Sequence, residues 1–173
     1  MTKNKNLIIY YSRTGNTKEI AELIQSMVGG DIIRIETQEP RPANYRKEVE
    51  QNQFEQGTDF LPELTTVIDN FDDYQNIFIG TPTWNMALPQ AVLTFLRTYD
   101  FSGKLILPFN TNGGYGTGNT LNQIEGNING AKMTSGFSVK GGEENKGILF
   151  TIEGIHKDGV STKLDNWLKQ NYK

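Results

Sequence analysis

Short apolar runs alternate with helix-patterned segments along nearly the whole of this 173-residue chain. The runs at 7–11, 77–80 and 104–109 are the short, continuous apolar stretches of buried strands. Residues 31–36 set Ile33 and Ile35 against Ile32 and Arg34 in the manner of an edge strand, and 132–139 forms a fifth strand. Between the first two, Asn16–Val28 puts Ile20, Leu23, Ile24, Met27 and Val28 on one helical face. Asn16 is its expected N-cap, Glu19 stands where a capping box places it, and Gly29-Gly30 is the stop signal. Further helices are predicted over 62–71, packing Leu64, Val67, Ile68 and Phe71, and over 89–99, with Pro89 in the first turn. Two more are predicted, one within 118–128 and one over 159–172 that buries Val160, Leu164, Trp167 and Leu168. Residues 37–60 are polar and weakly patterned, with a short surface helix expected over 44–56. The order β-α-β-α-β-α-β-α-β predicts an α/β chain: a five-stranded parallel sheet covered by helices on both faces, three layers in one domain over 1–173.

Composition narrows the function. A net charge of −3 and a pI near 5.2 argue against a general affinity for nucleic acid. The longest apolar run near the N-terminus is five residues, too short for a signal peptide or a membrane span. Thr2 excludes N-myristoylation, and the lack of cysteine excludes prenylation, disulfides and thiolate chemistry. The expected location is the cytoplasm. No metal-ligand spacing occurs, Glu143-Glu144 reads as a solvated turn, and His156 reads as a solvated loop residue.

Ligands of doubly wound sheets bind beyond the carboxyl ends of the strands, where the strand order reverses. Three loops fall at that edge. The first is Ser12-Arg13-Thr14-Gly15-Asn16-Thr17. Its hydroxyls and the Asn16 amide are donors, Gly15 lets the backbone curl, and the following helix points its positive end at the same spot. These features suit a phosphate, with a plain capped turn as the ordinary alternative; Arg13 belongs to either a site or solvent. The loop lacks a Gly-Lys-Ser/Thr ending, which argues against a nucleoside triphosphatase. The second loop, 81–86, carries Trp84 between Pro82 and Pro89, as a stacking partner or as a core residue; the backbone N–H groups of Asn85 and Met86 reach toward the same space. The third, 111–118, has four glycines and Tyr115, either to cover a flat ligand or as a flexible surface loop, and has no dinucleotide-binding register. Together the loops describe a phosphorylated, planar ligand.

The stretches YYSRTGNTKEIAELI at 10–24, NIFIGTPTWNMALPQAVLTFL at 76–96 and FSGKLILPFNTNGGYGTGNT at 101–120 resemble the flavodoxins. The likeness covers most of 6–140 in order. It implies the strand order 2-1-3-4-5 with FMN at the strand 1/3 switch point, an arrangement for which flavodoxin is the standard example. It also implies that Ser12, Thr14, Asn16 and Thr17 hold the FMN phosphate. Thr83, Trp84 and Asn85 would border the isoalloxazine on one side, and Asn112, Gly113, Gly114 and Tyr115 on the other, with Gly118 shaping the end of that loop. The function implied is one-electron transfer through bound FMN to redox partner proteins, by a monomer or weak dimer. One departure favours the alternative, an FMN-dependent NAD(P)H oxidoreductase acting on quinone-like acceptors. Loop 111–118 has no acidic residue, whereas a negative neighbour would lower the flavin potential by raising the energy of an anionic reduced ring. A non-redox binding domain is the third reading. A phosphorelay receiver is disfavoured, because Gly80-Thr81 occupy the end of strand 3 where an acceptor aspartate belongs.

Overall fold

The uninterrupted apolar runs become the centre of a twisted parallel sheet. The computed structural model describes residues 5–173. In chain order the elements are β1 (Lys5–Tyr10), α1 (Asn16–Val28), β2 (Asp31–Arg34), α2 (Tyr45–Thr58), β3 (Tyr74–Pro82), α3 (Gln90–Thr98), β4 (Leu105–Asn112), α4 (Thr120–Glu125), β5 (Lys132–Met133), β6 (Phe137–Lys140) and α5 (Gly154–Asn171). The strand order is β2-β1-β3-β4-β5, every pair parallel, with β6 continuing along β4 beyond β5. This is the expected 2-1-3-4-5 order.

Alternate side chains divide between two cores. Leu7, Ile9, Ile77, Ile79 and Ile106 meet α3 and α4 through Val92, Phe95, Leu96 and Ile124. Ile8, Phe78, Leu107 and Phe109 meet α1 and α5 through Ile20, Ile24, Leu164 and Trp167. Most of these side chains are fully buried, and each contributes about 1.5–3 kcal/mol relative to exposure. No helix among the described residues is long and apolar enough to cross a membrane.

The predicted fifth strand is in fact two pieces. Leu105 pairs with Lys132 and Ile106 with Met133, but Phe109 pairs with Phe137, so the fifth strand carries one extra residue. The carbonyls of Ile106 and Asn112 accept from Thr134 and Gly141. The even-numbered residues of β4 therefore face this neighbour, and Pro108, which has no N–H to give, lies at the break.

The predicted helix over 62–71 does not form. Its start is extended and clipped to the chain after β2: Gln38 N–H donates to the Glu63 carbonyl at 2.8 Å and Thr65 N–H to the Glu36 carbonyl at 2.9 Å. Ile68 and Phe71 are buried, but Val67 is 72 % exposed, so only part of the apolar pattern faces the core. The helix between β2 and β3 is α2, the weakly patterned 44–56 segment, capped by Asn44, whose side chain accepts from the Lys47 N–H at 3.1 Å. At the C-terminus, α5 begins at Gly154 rather than 159, which puts His156 in its first turn.

Candidate functional site: a cleft at the carboxyl edge of the sheet

Beyond the carboxyl ends of β1, β3 and β4 lies a cavity of about 260 Å³ lined by all three predicted loops. From the first loop come Ser12, Arg13, Thr14, Asn16 and Thr17. From the second come Pro82, Thr83 and Trp84, and from the third Asn112, Gly113 and Tyr115. Asn85 and Met86 line an adjoining cavity that shares Thr83 and Tyr115. Gly15, Gly114 and Gly118 act through the backbone, each at positive φ.

The first loop is built to leave donors free. Gly15, not Asn16, is the N-cap of α1, and no side chain caps the helix. The expected capping box is therefore absent, for a physical reason. The Asn16 amide donates to the Leu149 carbonyl at 2.7 Å and its oxygen accepts from the Thr151 N–H at 3.0 Å, tying the loop to the segment before α5. Glu19 pairs instead with Lys157. The first helical N–H groups, which have no intrahelical acceptor, thus stay available at the cleft. Ser12 Oγ accepts from the Gly15 N–H at 3.2 Å, and the buried hydroxyls of Thr17 and Thr111 lie 2.7 Å apart.

Arg13 is neither in solvent nor free. Its guanidinium donates to Glu144 at 2.9 Å and to the carbonyls of Pro42 and Ala43 at 2.8 and 3.0 Å. Its charge remains at the cleft wall, but its hydrogen bonds are already made.

Trp84 is half-buried, lining the cleft on one side while packing against the core on the other. Its N–H and carbonyl pair with those of Ala87 at 2.9 and 3.0 Å, and Asn85 and Met86 between them have φ of 49° and 60°. This is a reversed two-residue turn of the kind that needs two left-handed residues. From outside, Gln56 of α2 donates to the Trp84 and Leu88 carbonyls at 2.9 and 3.1 Å. Gly118 closes the other side, where a Cβ would fall 2.3 Å from the Met86 carbonyl oxygen. Tyr115 is 82 % exposed at the cleft mouth.

Sequence reasoning missed Tyr45, Thr111 and the 141–149 stretch, which also line the cleft. The available signal was the glycine pair at 141–142: a Cβ on Gly142 would lie 2.3 Å from the Leu149 carbonyl, so this strap closes on itself only with glycine there. Glu143 and Glu144 are not a solvated turn. Glu144 is paired with Arg13, and Glu143 with Lys140 and Lys146 at 2.6 and 2.8 Å. The hydrogen bonds from Lys140 and Lys146 hold the Glu143 carboxyl down at about 2. Both carboxylates are thereby offset, so the cleft retains a donor-rich end and an aromatic end. That donor set fits a phosphate joined to a flat ring.

Such a cleft lies at the switch point of a doubly wound α/β sheet. The family model described as Flavodoxin matches residues 5–149, and the chain belongs to the flavodoxin family. Curated relatives include the flavodoxin of a Synechocystis species, 29 % identical over 106 residues, which make up 59 % of this chain and 48 % of that one. A Nostoc flavodoxin is 27 % identical over 60 % of this chain and 49 % of its own length. The chain thus spans about half the length of the curated relatives it matches. Among solved structures, a Lactobacillus acidophilus flavoprotein in complex with FMN superposes with a TM-score of 0.68 at 24 % identity, covering 80 % of this chain and 93 % of that one. An oxidised flavodoxin 2 from Bacillus cereus gives 0.58 at 19 % identity, covering 96 % and 99 %. Likeness at these identities establishes the fold.

Proposed function

We propose that this protein binds FMN in the cleft and carries single electrons between redox partner proteins. The observation that carries this reading is the convergence of an uncapped helix N-terminus, the Ser12, Thr14 and Thr17 hydroxyls and two aromatic side chains on one cleft at the sheet edge. The kinship with flavodoxins, and with a flavoprotein solved with FMN, supports it. The hydroxyls and the first amides of α1 receive a phosphate that is close to dianionic at neutral pH. Asn16 contributes its backbone, since its side chain holds the strap. Trp84 and Tyr115 border the ring, with Thr83, Asn85, Met86, Asn112 and Gly113 around its polar edge. Bound FMN supplies the redox chemistry, and the protein positions it, shields it and sets its potential.

A second reading is an FMN-dependent reductase that takes hydride from NAD(P)H and reduces quinone-like acceptors. It is favoured by the 111–118 loop, which has no acidic residue, and by the pairing of the cleft carboxylates Glu143 and Glu144 with Lys140, Lys146 and Arg13. The visible spectrum of the purified protein with FMN is the test of both. A flavin spectrum shifted from that of free FMN, followed by reduction in two resolved one-electron steps, is the expected result. Bleaching by NAD(P)H with turnover of a quinone would replace the carrier reading with the reductase. An unshifted FMN spectrum would remove both.

A further inference from the structure

Beside the cofactor cleft lies a second cavity, of about 280 Å³, which shares Ser12, Arg13 and Trp84 with it as common lining. Tyr11 also lines it, a side chain only 6 % exposed whose hydroxyl has no hydrogen-bond partner among the described residues. That hydroxyl is not sealed in but opens onto the cavity, so it is free to donate to an acceptor bound there. Burial pushes this phenol up to about 12, with Arg41 opposing and Glu48 and Glu55 reinforcing, so it is a donor at neutral pH.

The charges around it are unequal. Arg13, Arg34 and Arg41 line the cavity against Glu36 and Glu48. Arg41 is consumed by Glu48 and Glu55, and Arg13 by Glu144 and two carbonyls. Arg34 is the cation with capacity to spare. It gives one hydrogen bond to the Ser12 carbonyl at 2.7 Å, and its Nε lies 4.0 Å from Glu36. The apolar wall is the Trp84 indole, which meets the Tyr11 ring edge-on with centroids 5.4 Å apart.

We infer that this cavity is a binding site for a small carboxylate with an apolar body. The carboxylate accepts from the Tyr11 hydroxyl and the Arg34 guanidinium, and the body rests on Trp84. Because Trp84 and Ser12 belong to both cavities, occupation of one is felt at the other. The site itself does not depend on what the neighbouring cleft holds.

The test is a titration of the intact chain, with and without FMN, by proton–nitrogen correlation NMR, using benzoate and its neutral counterpart benzamide as probes. Benzoate is expected to give saturable shifts at the Trp84 indole N–H and the Ser12 and Ile35 amides, with benzamide far weaker. Tyr11→Phe and Arg34→Gln are each expected to weaken benzoate about tenfold, the loss of one hydrogen bond to a charged group. The proposal is overturned by the absence of saturable shifts, by equal response to benzamide, or by affinity unchanged in both variants. Shifts centred on 14–17 alone would place the carboxylate at the phosphate loop and overturn it as well. Loss of FMN binding would remove the proposed function, while the benzoate titration of the FMN-free chain still decides this cavity.

Discussion

At the scale of single residues, the chemistry of this protein turns on which donors are already spent. Thr17 carries a buried hydroxyl 2.7 Å from that of Thr111, at the helix end that faces the cleft. Thr17→Ala is expected to weaken FMN binding by roughly 1–2 kcal/mol, through one charge-assisted hydrogen bond. Flavin-fluorescence titration checks this, and an unchanged affinity would remove Thr17 from the phosphate site. Tyr11 makes a different prediction, in pH. Its folded-state value of about 12 stands above the unfolded value near 10. The stabilisation it confers is therefore complete below pH ~10 and lost as pH rises through about 12, in total on the order of 2–3 kcal/mol. Tyr74, pushed up to about 12 by burial and by its hydrogen bond to Asp31, titrates in the same window. The informative quantity is thus the difference between the native chain and Tyr11→Phe. The variant should show the shallower alkaline decline in urea-unfolding stability, and parallel profiles would contradict the assignment. Asn16 shows where residue-level reading stops. Its type and spacing pointed to a helix cap, but its partners, Leu149 and Thr151, are more than a hundred residues away.

At the scale of elements, α2 differs from the other helices in what holds it. Its buried residues are Glu48, Asn52 and Glu55, spaced so that they share one face. The helix docks by charge: Arg41, only 14 % exposed in its side chain, is gripped by both carboxylates and lies over the Trp84 ring with its guanidinium carbon 5.8 Å from the centroid. Burial opposes the guanidinium charge, and the hydrogen bonds to Glu48 and Glu55 more than offset it. Removing one partner of such a cluster strands the others. Arg41→Ala is expected to cost about 3–5 kcal/mol in urea unfolding, and neutralising Glu48 and Glu55 as well should recover part of the loss. If the triple change is as damaging as Arg41→Ala alone, packing and not charge holds α2. A search for apolar periodicity reads this helix as weakly patterned because its inward stripe is polar. The same search promoted 62–71 to a helix because its apolar spacing was suitable, although the backbone hydrogen bonds there go to 36–38.

At the scale of the whole molecule, the proposed FMN site is tied to the fold, since the cleft is assembled from loops after β1, β3 and β4 and from the strap before α5. With free FMN at a hundredfold excess over its Kd, binding adds about 2.7 kcal/mol. For a chain of this length that corresponds to a rise in Tm of about 5–10 °C. Scanning calorimetry with and without FMN measures it, and an unmoved Tm under saturating FMN would contradict binding to the folded state. Much of this architecture was determined by the sequence alone: the apolar runs, their alternation with helices, and the three loops brought to one edge. Hydrophobic period and turn chemistry are local properties, whereas the strand order was expected only from the resemblance to flavodoxins. The tertiary structure alone decided where the polar groups are spent. It broke the fifth strand opposite Pro108, drew Asn16 to the strap, closed Arg13 onto Glu144 and turned the charged face of α2 inward. Each of those outcomes is a choice of hydrogen-bond or ion-pair partner made under burial, and the partner is fixed by which distant residues the folded chain brings within reach.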